Sequence, residues 1–121
     1  MPARQNFWNA LINAFNGMKY FFLHERNGKI QIIISFFVFL AGLFFHITTS
    51  EWTVVLFCIA LVIGLEMLNA AIEKICDMVH PEIHLAIKIT KDVAAAAVLW
   101  AAIISAVIGA IIFLPKILAL L

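Results

Sequence analysis

The sequence predicts an all-α integral membrane protein. It is expected to have three transmembrane helices plus an N-terminal amphipathic surface helix, in one domain over residues 1–121. Hydrophobic residues make up 65% of the chain and charged residues 12%, about half the roughly 25% of an average globular protein. Mean hydropathy is +1.10, and most of the charges crowd the ends of long apolar runs. Phe outnumbers Gly, 11 to 5, which rules out a disordered chain. A formal net charge of +1 gives no case for nucleic acid, which wants a strong basic excess. Cys58 and Cys76 begin no CxxC or Cys/His ligand spacing and read as free thiols in packed helices.

The N-terminal segment, residues 4–24, carries Phe7, Trp8, Leu11, Ile12, Phe15, Met18 and Phe22 at helical spacing, with Arg4, Gln5, Asn9, Asn13, Asn16 and Lys19 between them. That pattern suits a helix lying in the membrane interface; packing against the spans is compatible with it. No basic stretch leads directly into a short apolar core and a cleavage site, so no cleaved signal peptide is expected. The first span is expected over about 30–47, an uncharged run broken only by Gln31 and His46. The second covers about 52–79, with Trp52 as an interfacial anchor; 28 residues make a helix of about 42 Å, so its last third should emerge from the bilayer. Pro81 ends it. The third, about 93–114, has 22 residues without a charge, enough to cross about 30 Å of hydrocarbon.

Arg4, Lys19, Arg26 and Lys29 precede the first span, and Lys74, Lys88 and Lys91 surround the second connection. By the positive-inside rule the N-terminus and the 80–92 loop are cytoplasmic and the C-terminus is outside.

The polar groups of the second helix need a separate reason. Glu66, Asn69, Glu73 and Asp77 follow offsets of +3, +7 and +11, which at about 100° per residue is one stripe. Glu66 lies about 21 Å from Trp52, inside the hydrocarbon. A carboxylate there costs several kcal/mol unless paired, protonated or hydrated, which marks it as functional by default. The bland alternative is a neutral Glu66 hydrogen-bonded across a helix interface. Glu73 and Asp77 are shallow enough to hold a divalent cation with a cytosolic ligand. Glu25, Lys91 and Asp92 reach the same depth, and Lys91 offers the positive charge a phosphate needs. Carboxylates, a lysine and no zinc-type cluster point to phosphoryl transfer. There is neither GxxxxGK[ST] nor GxGxxG, so no P-loop or protein-kinase loop.

The stretch Glu66-Met-Leu-Asn69-Ala-Ala-Ile-Glu73-Lys-Ile-Cys-Asp77 resembles the ExxNxAIExxxD signature of the small prokaryotic diacylglycerol kinase family. Pro-Glu82-Ile-His84, Lys91-Asp92-Val-Ala-Ala-Ala-Ala-Val98 and His24-Glu25-Arg26-Asn27 extend the likeness, which covers about residues 7–118. The resemblance implies a homotrimeric enzyme of the bacterial cytoplasmic (inner) membrane, with active sites shared between subunits. It would transfer the γ-phosphate of ATP to a lipid hydroxyl. By the same resemblance Glu66 is the general base, and Glu25 and Glu73 hold Mg²⁺. Asn69 steadies the carboxylates or the γ-phosphate, and Asp77 orients the group. Glu82 and His84 contact the nucleotide, Lys91 the phosphates, with Asp92 beside it.

Departures from the family pattern concern the substrate. Val93-Ala94-Ala95 replaces the Gly-Ser typical of Gram-negative diacylglycerol enzymes, and Lys29, Ile30 and Gln31 stand where those carry an acidic residue. With the Ala-rich third helix and the Phe113-Leu114-Pro115 ending, these favour undecaprenol over diacylglycerol. Asn13 stands where a nucleotide-contacting tyrosine is often found.

Simpler readings stand beside these. A lone histidine such as His84 is more often a solvated loop residue than a ligand, Asp92 reads equally as an N-cap of the third span, and Ala94 to Ala97 as a close-packing surface. The competing functional class is a small proton- or cation-coupled transporter using Glu66. That class wants polar groups along the whole bilayer, whereas here they gather at one face.

Overall fold

A computed structural model describes residues 6–79 and 84–121 as four helices. They are α1 (Phe7–His24), α2 (Arg26–Phe44), α3 (Thr49–Val79) and α4 (Leu85–Leu120), with no strand among the described residues. The last three are each long and apolar enough to cross a membrane.

Asn6 starts α1 by accepting the Asn9 N–H on its side chain at 2.8 Å. At Glu25 the backbone turns extended (φ −90°, ψ 130°), and α2 begins at the next residue. This sharp joint needs Gly28, since a Cβ there would collide with the Phe21 carbonyl and stand 3.0 Å from its ring.

The first span is displaced toward the N-terminus from the expected 30–47. It ends at Phe44 because His46 takes a left-handed conformation, φ 51°, a state in which His is enriched among non-glycine residues. A capping box then launches α3: Thr48 Oγ1 accepts the Glu51 N–H at 3.1 Å, and Glu51 Oε1 accepts the Thr48 N–H at 2.9 Å.

The third span also differs. Its helix starts at Leu85, eight residues before 93, and runs through Pro115 to Leu120. Lys88, Lys91 and Asp92, expected in or beside a loop, are therefore helical. The N-cap is His84, whose Nδ1 accepts the Ala86 N–H at 3.1 Å. Asp92 caps nothing; it pairs with Lys88 one turn back at 2.7 Å.

Two contacts register α2 against α3. The Asn27 side chain bonds Glu66 at one end, and at the other a Cβ on Gly42 would stand 2.6 Å from the Trp52 ring. The intervals are 15 residues on α2 and 14 on α3, so the two helices run antiparallel in step over about 22 Å. Trp52 thus packs between helices, 5.2 Å from the Phe39 ring. Beyond Glu66, α3 continues past the start of α2, and α1 lies against that projecting part through Tyr20, Glu25 and Lys74.

The α3–α4 pair is held at both ends, by Glu51–Lys116 at 3.0 Å and Asp77–Lys91 at 2.9 Å. Near the first of these, Ile47, Val55 and Ile112 form the core cluster. Elsewhere large apolar side chains face outward, among them Phe57 at 70% and Trp100 at 71% exposure, a surface suited to lipid or to other helices and not to water.

Candidate active site

The stripe on α3 divides by depth. Glu66 and Asn69 are buried, each 7% exposed, while Glu73 and Asp77 are open. The first turn of α2 reaches Glu66 through Asn27, while Glu73 and Asp77 lie on the part of α3 that projects beyond α2.

Glu66 Oε2 accepts a hydrogen bond from Asn27 Nδ2 at 3.1 Å. A carboxylate offers acceptors only, so the amide presents its NH₂. One turn on, Asn69 Nδ2 donates to Glu73 Oε1 at 3.4 Å. That leaves Asn69 Oδ1 turned away, buried and without a hydrogen-bond partner among the described residues. A buried orphan oxygen beside a carboxylate asks for a donor or a cation.

Asp77 is engaged by Lys91 at 2.9 Å, which joins α3 to α4 above the buried pair. Glu25 is engaged by Lys74 at 3.3 Å. Lys74 also donates to the Tyr20 hydroxyl at 3.2 Å, and the Tyr20 ring stacks on His24 at 4.7 Å. Glu25 occupies the N-cap position of α2 yet makes no side-chain cap bond, because its carboxylate turns to Lys74.

Sequence reasoning grouped Glu25 with Glu73 as metal ligands. The structure brings Glu25 to Lys74, the next residue on α3, about 100° round the helix. Among the described residues no three His, Cys, Asp or Glu side chains form a metal cluster. Mg²⁺ does not require one, since it commonly takes one or two carboxylates and fills its octahedron with phosphate oxygens and water. Glu73 and the orphan Asn69 Oδ1 supply hard oxygens of that kind, so the residues fit the ion. His84 caps α4, and Asp92 lies two turns into that helix. Glu82 falls outside the described residues.

Three residues at this site had no assigned role in the sequence: Asn27, Lys74 and Tyr20. For Asn27 a signal existed. Asn27 and Gln31 are polar residues four apart at the start of an otherwise apolar span, and helical spacing puts them on one face.

The family model of prokaryotic diacylglycerol kinase matches residues 12–113. The chain belongs to the prokaryotic diacylglycerol kinase family. It is 35% identical to a diacylglycerol kinase of Synechocystis sp. over 128 aligned positions, covering 99% of this chain and 73% of that one. It is 34% identical to an undecaprenol kinase of Bacillus subtilis over 110 positions, covering 91% and 89%. These are lipid kinases, and membership of the diacylglycerol kinase family makes this chain a lipid kinase by class. The transporter alternative is not favoured. Near-equal identity to the two relatives does not choose between their substrates.

Proposed function

We propose that this protein transfers the γ-phosphate of ATP, with Mg²⁺, to the hydroxyl of a membrane lipid alcohol. The acceptor is undecaprenol in preference to diacylglycerol, on the sequence departures at Lys29 to Gln31 and Val93 to Ala95. The working state is a homotrimer in the bacterial inner membrane, with its active site and N-terminus cytoplasmic and its C-terminus outside.

The observation that carries this reading is the buried Glu66 carboxylate, held by Asn27 level with the first turn of α2. At 19 residues α2 is about 28 Å long, close to the thickness of the hydrocarbon core. Its first turn therefore lies near the boundary where a lipid hydroxyl sits. The exposed part of the stripe extends from there toward water. Positive flanks at Arg26 and Lys29 support the cytoplasmic side.

In this mechanism Glu66 takes the proton from the lipid hydroxyl as its oxygen attacks the γ-phosphorus. The bond from phosphorus to the β–γ bridging oxygen breaks, and that oxygen leaves with ADP. Glu73 would hold Mg²⁺, joined by Glu25 once Lys74 releases it, with Asn69 steadying the carboxylates. The ion supplies neutralisation of the phosphate charge. Lys91, held by Asp77, adds positive charge at the phosphates, with Asp92 beside it; His84 and Glu82 contact the nucleotide. The outward apolar faces and the open sides of Glu73 and Asp77 support assembly, since three thin spans alone cannot enclose ATP and a lipid head together.

The test is purified protein in mixed micelles with Mg²⁺ and labelled ATP, with undecaprenol and diacylglycerol offered in parallel. Glu66→Gln should lower kcat by about 10²- to 10⁴-fold. Full activity in that variant would remove Glu66 as the base, and no labelled lipid from folded protein would overturn the kinase reading.

A further inference from the structure

We infer that Asn27 is the positioning residue for the Glu66 base, an inference that rests on the reading of Glu66 above. Among the described residues its amide is the hydrogen-bond partner of Glu66. The bond joins α2 to α3 across 39 residues of sequence. It therefore fixes the carboxylate relative to a second helix and not merely within its own turn.

The choice of donor carries the argument. Asn27 is flanked on the same turn of α2 by two cations, Arg26 and Lys29, and neither forms an ion pair with Glu66 among the described residues. The group aimed at the carboxylate is the neutral one. An ammonium or guanidinium at 3 Å would hold Glu66 as firmly but would stabilise its charged form strongly, weakening it as a proton acceptor. A neutral amide orients the carboxylate without placing a charge beside it. It engages Oε2 only, which leaves Oε1 to meet the lipid hydroxyl. Asn is also short and has two rotatable side-chain bonds, so little freedom remains once its amide is bonded. A purely structural helix-to-helix bond would be served equally well by a lysine; a positioning bond would not.

That difference supplies the test. Asn27→Ala, Asn27→Lys and Glu66→Gln are purified in detergent, and each is measured for thermal unfolding and for kcat and KM with ATP and the lipid acceptor. Asn27→Ala should lower kcat on the order of 10²-fold with KM for ATP unchanged, the scale on which a misplaced catalytic group loses rate. Asn27→Lys should unfold at or above the parent's temperature and yet lose kcat by a similar factor. Asn27→Asp destabilises by placing two carboxylates together, and adding Glu66→Gln should restore the lost melting temperature because the new amide can donate back. Parental kcat in Asn27→Ala or Asn27→Lys, beside an inactive Glu66→Gln, overturns this inference alone. Parental kcat in Glu66→Gln overturns the base assignment and this inference with it. Additive melting temperatures in the double variant overturn the contact.

Discussion

Lys74 faces two demands at once. Its ammonium holds Glu25 at 3.3 Å and the Tyr20 hydroxyl at 3.2 Å, and lies 5.2 Å from the centre of the Tyr20 ring. If Glu25 is to ligate Mg²⁺, the ammonium must first move aside. The Lys74 side chain is 53% exposed, so water is ready to receive it. Removing the competitor should help the ion. Lys74→Met is expected to lower the half-saturating Mg²⁺ concentration about two- to fivefold, the scale of an exposed pair. Titration of the nucleotide-loaded protein with Mn²⁺, followed by electron paramagnetic resonance, would read this without turnover. No change would take Glu25 out of the ligand set. At this scale the stripe was legible because helical spacing alone puts Glu66, Asn69, Glu73 and Asp77 on one face. Pairing was not legible: Glu25 with Lys74, and Asn27 with Glu66, depend on how α1 and α2 cross α3, and spacing within one helix carries no such information.

The joint between α1 and α2 is the element on which the buried pair depends. Gly28 lets the Phe21 turn of α1 pass directly over α2, and that close passage sets where the adjacent Asn27 points. Gly28→Ala should destabilise the fold by about 1–3 kcal/mol through overpacking and also loosen the Asn27 bond. Gly17→Ala is the matched control, since a Cβ there meets nothing within 4 Å. It should be neutral or stabilising by roughly 0.5–1 kcal/mol, the helical gain of Ala over Gly. Thermal unfolding of the two variants side by side checks both. The ends of the helices were the least legible part. Phe45-His46-Ile47 continues the apolar run of the first span, and only the backbone at His46 stops the helix. At the start of α4, Lys88, Lys91 and Asp92 break the apolar pattern but not the helix, because His84 caps it one residue before Leu85.

For the whole molecule, three long apolar runs were enough to place three spans, because crossing a hydrocarbon layer sets a minimum length that composition reveals directly. What covers their outer faces was not legible, since lipid and a neighbouring helix ask for the same side chains. Native mass spectrometry from detergent is expected to give three copies; a fully active monomer would remove the trimer from the proposal.

The two ion pairs between α3 and α4 have a mechanical consequence. Glu51 to Asp77 is 26 residues and Lys91 to Lys116 is 25, so the two helices are pinned over nearly equal lengths of about 38 Å. An ion pair at each end resists sliding of one helix past the other, though exposed pairs contribute little apiece. When the surrounding bilayer thins or thickens, the two ion pairs favour leaning or straightening of both helices together. Glu66 lies on α3 11 residues from Asp77, so on the proposed mechanism the depth at which a lipid must present its hydroxyl changes with the angle of lean.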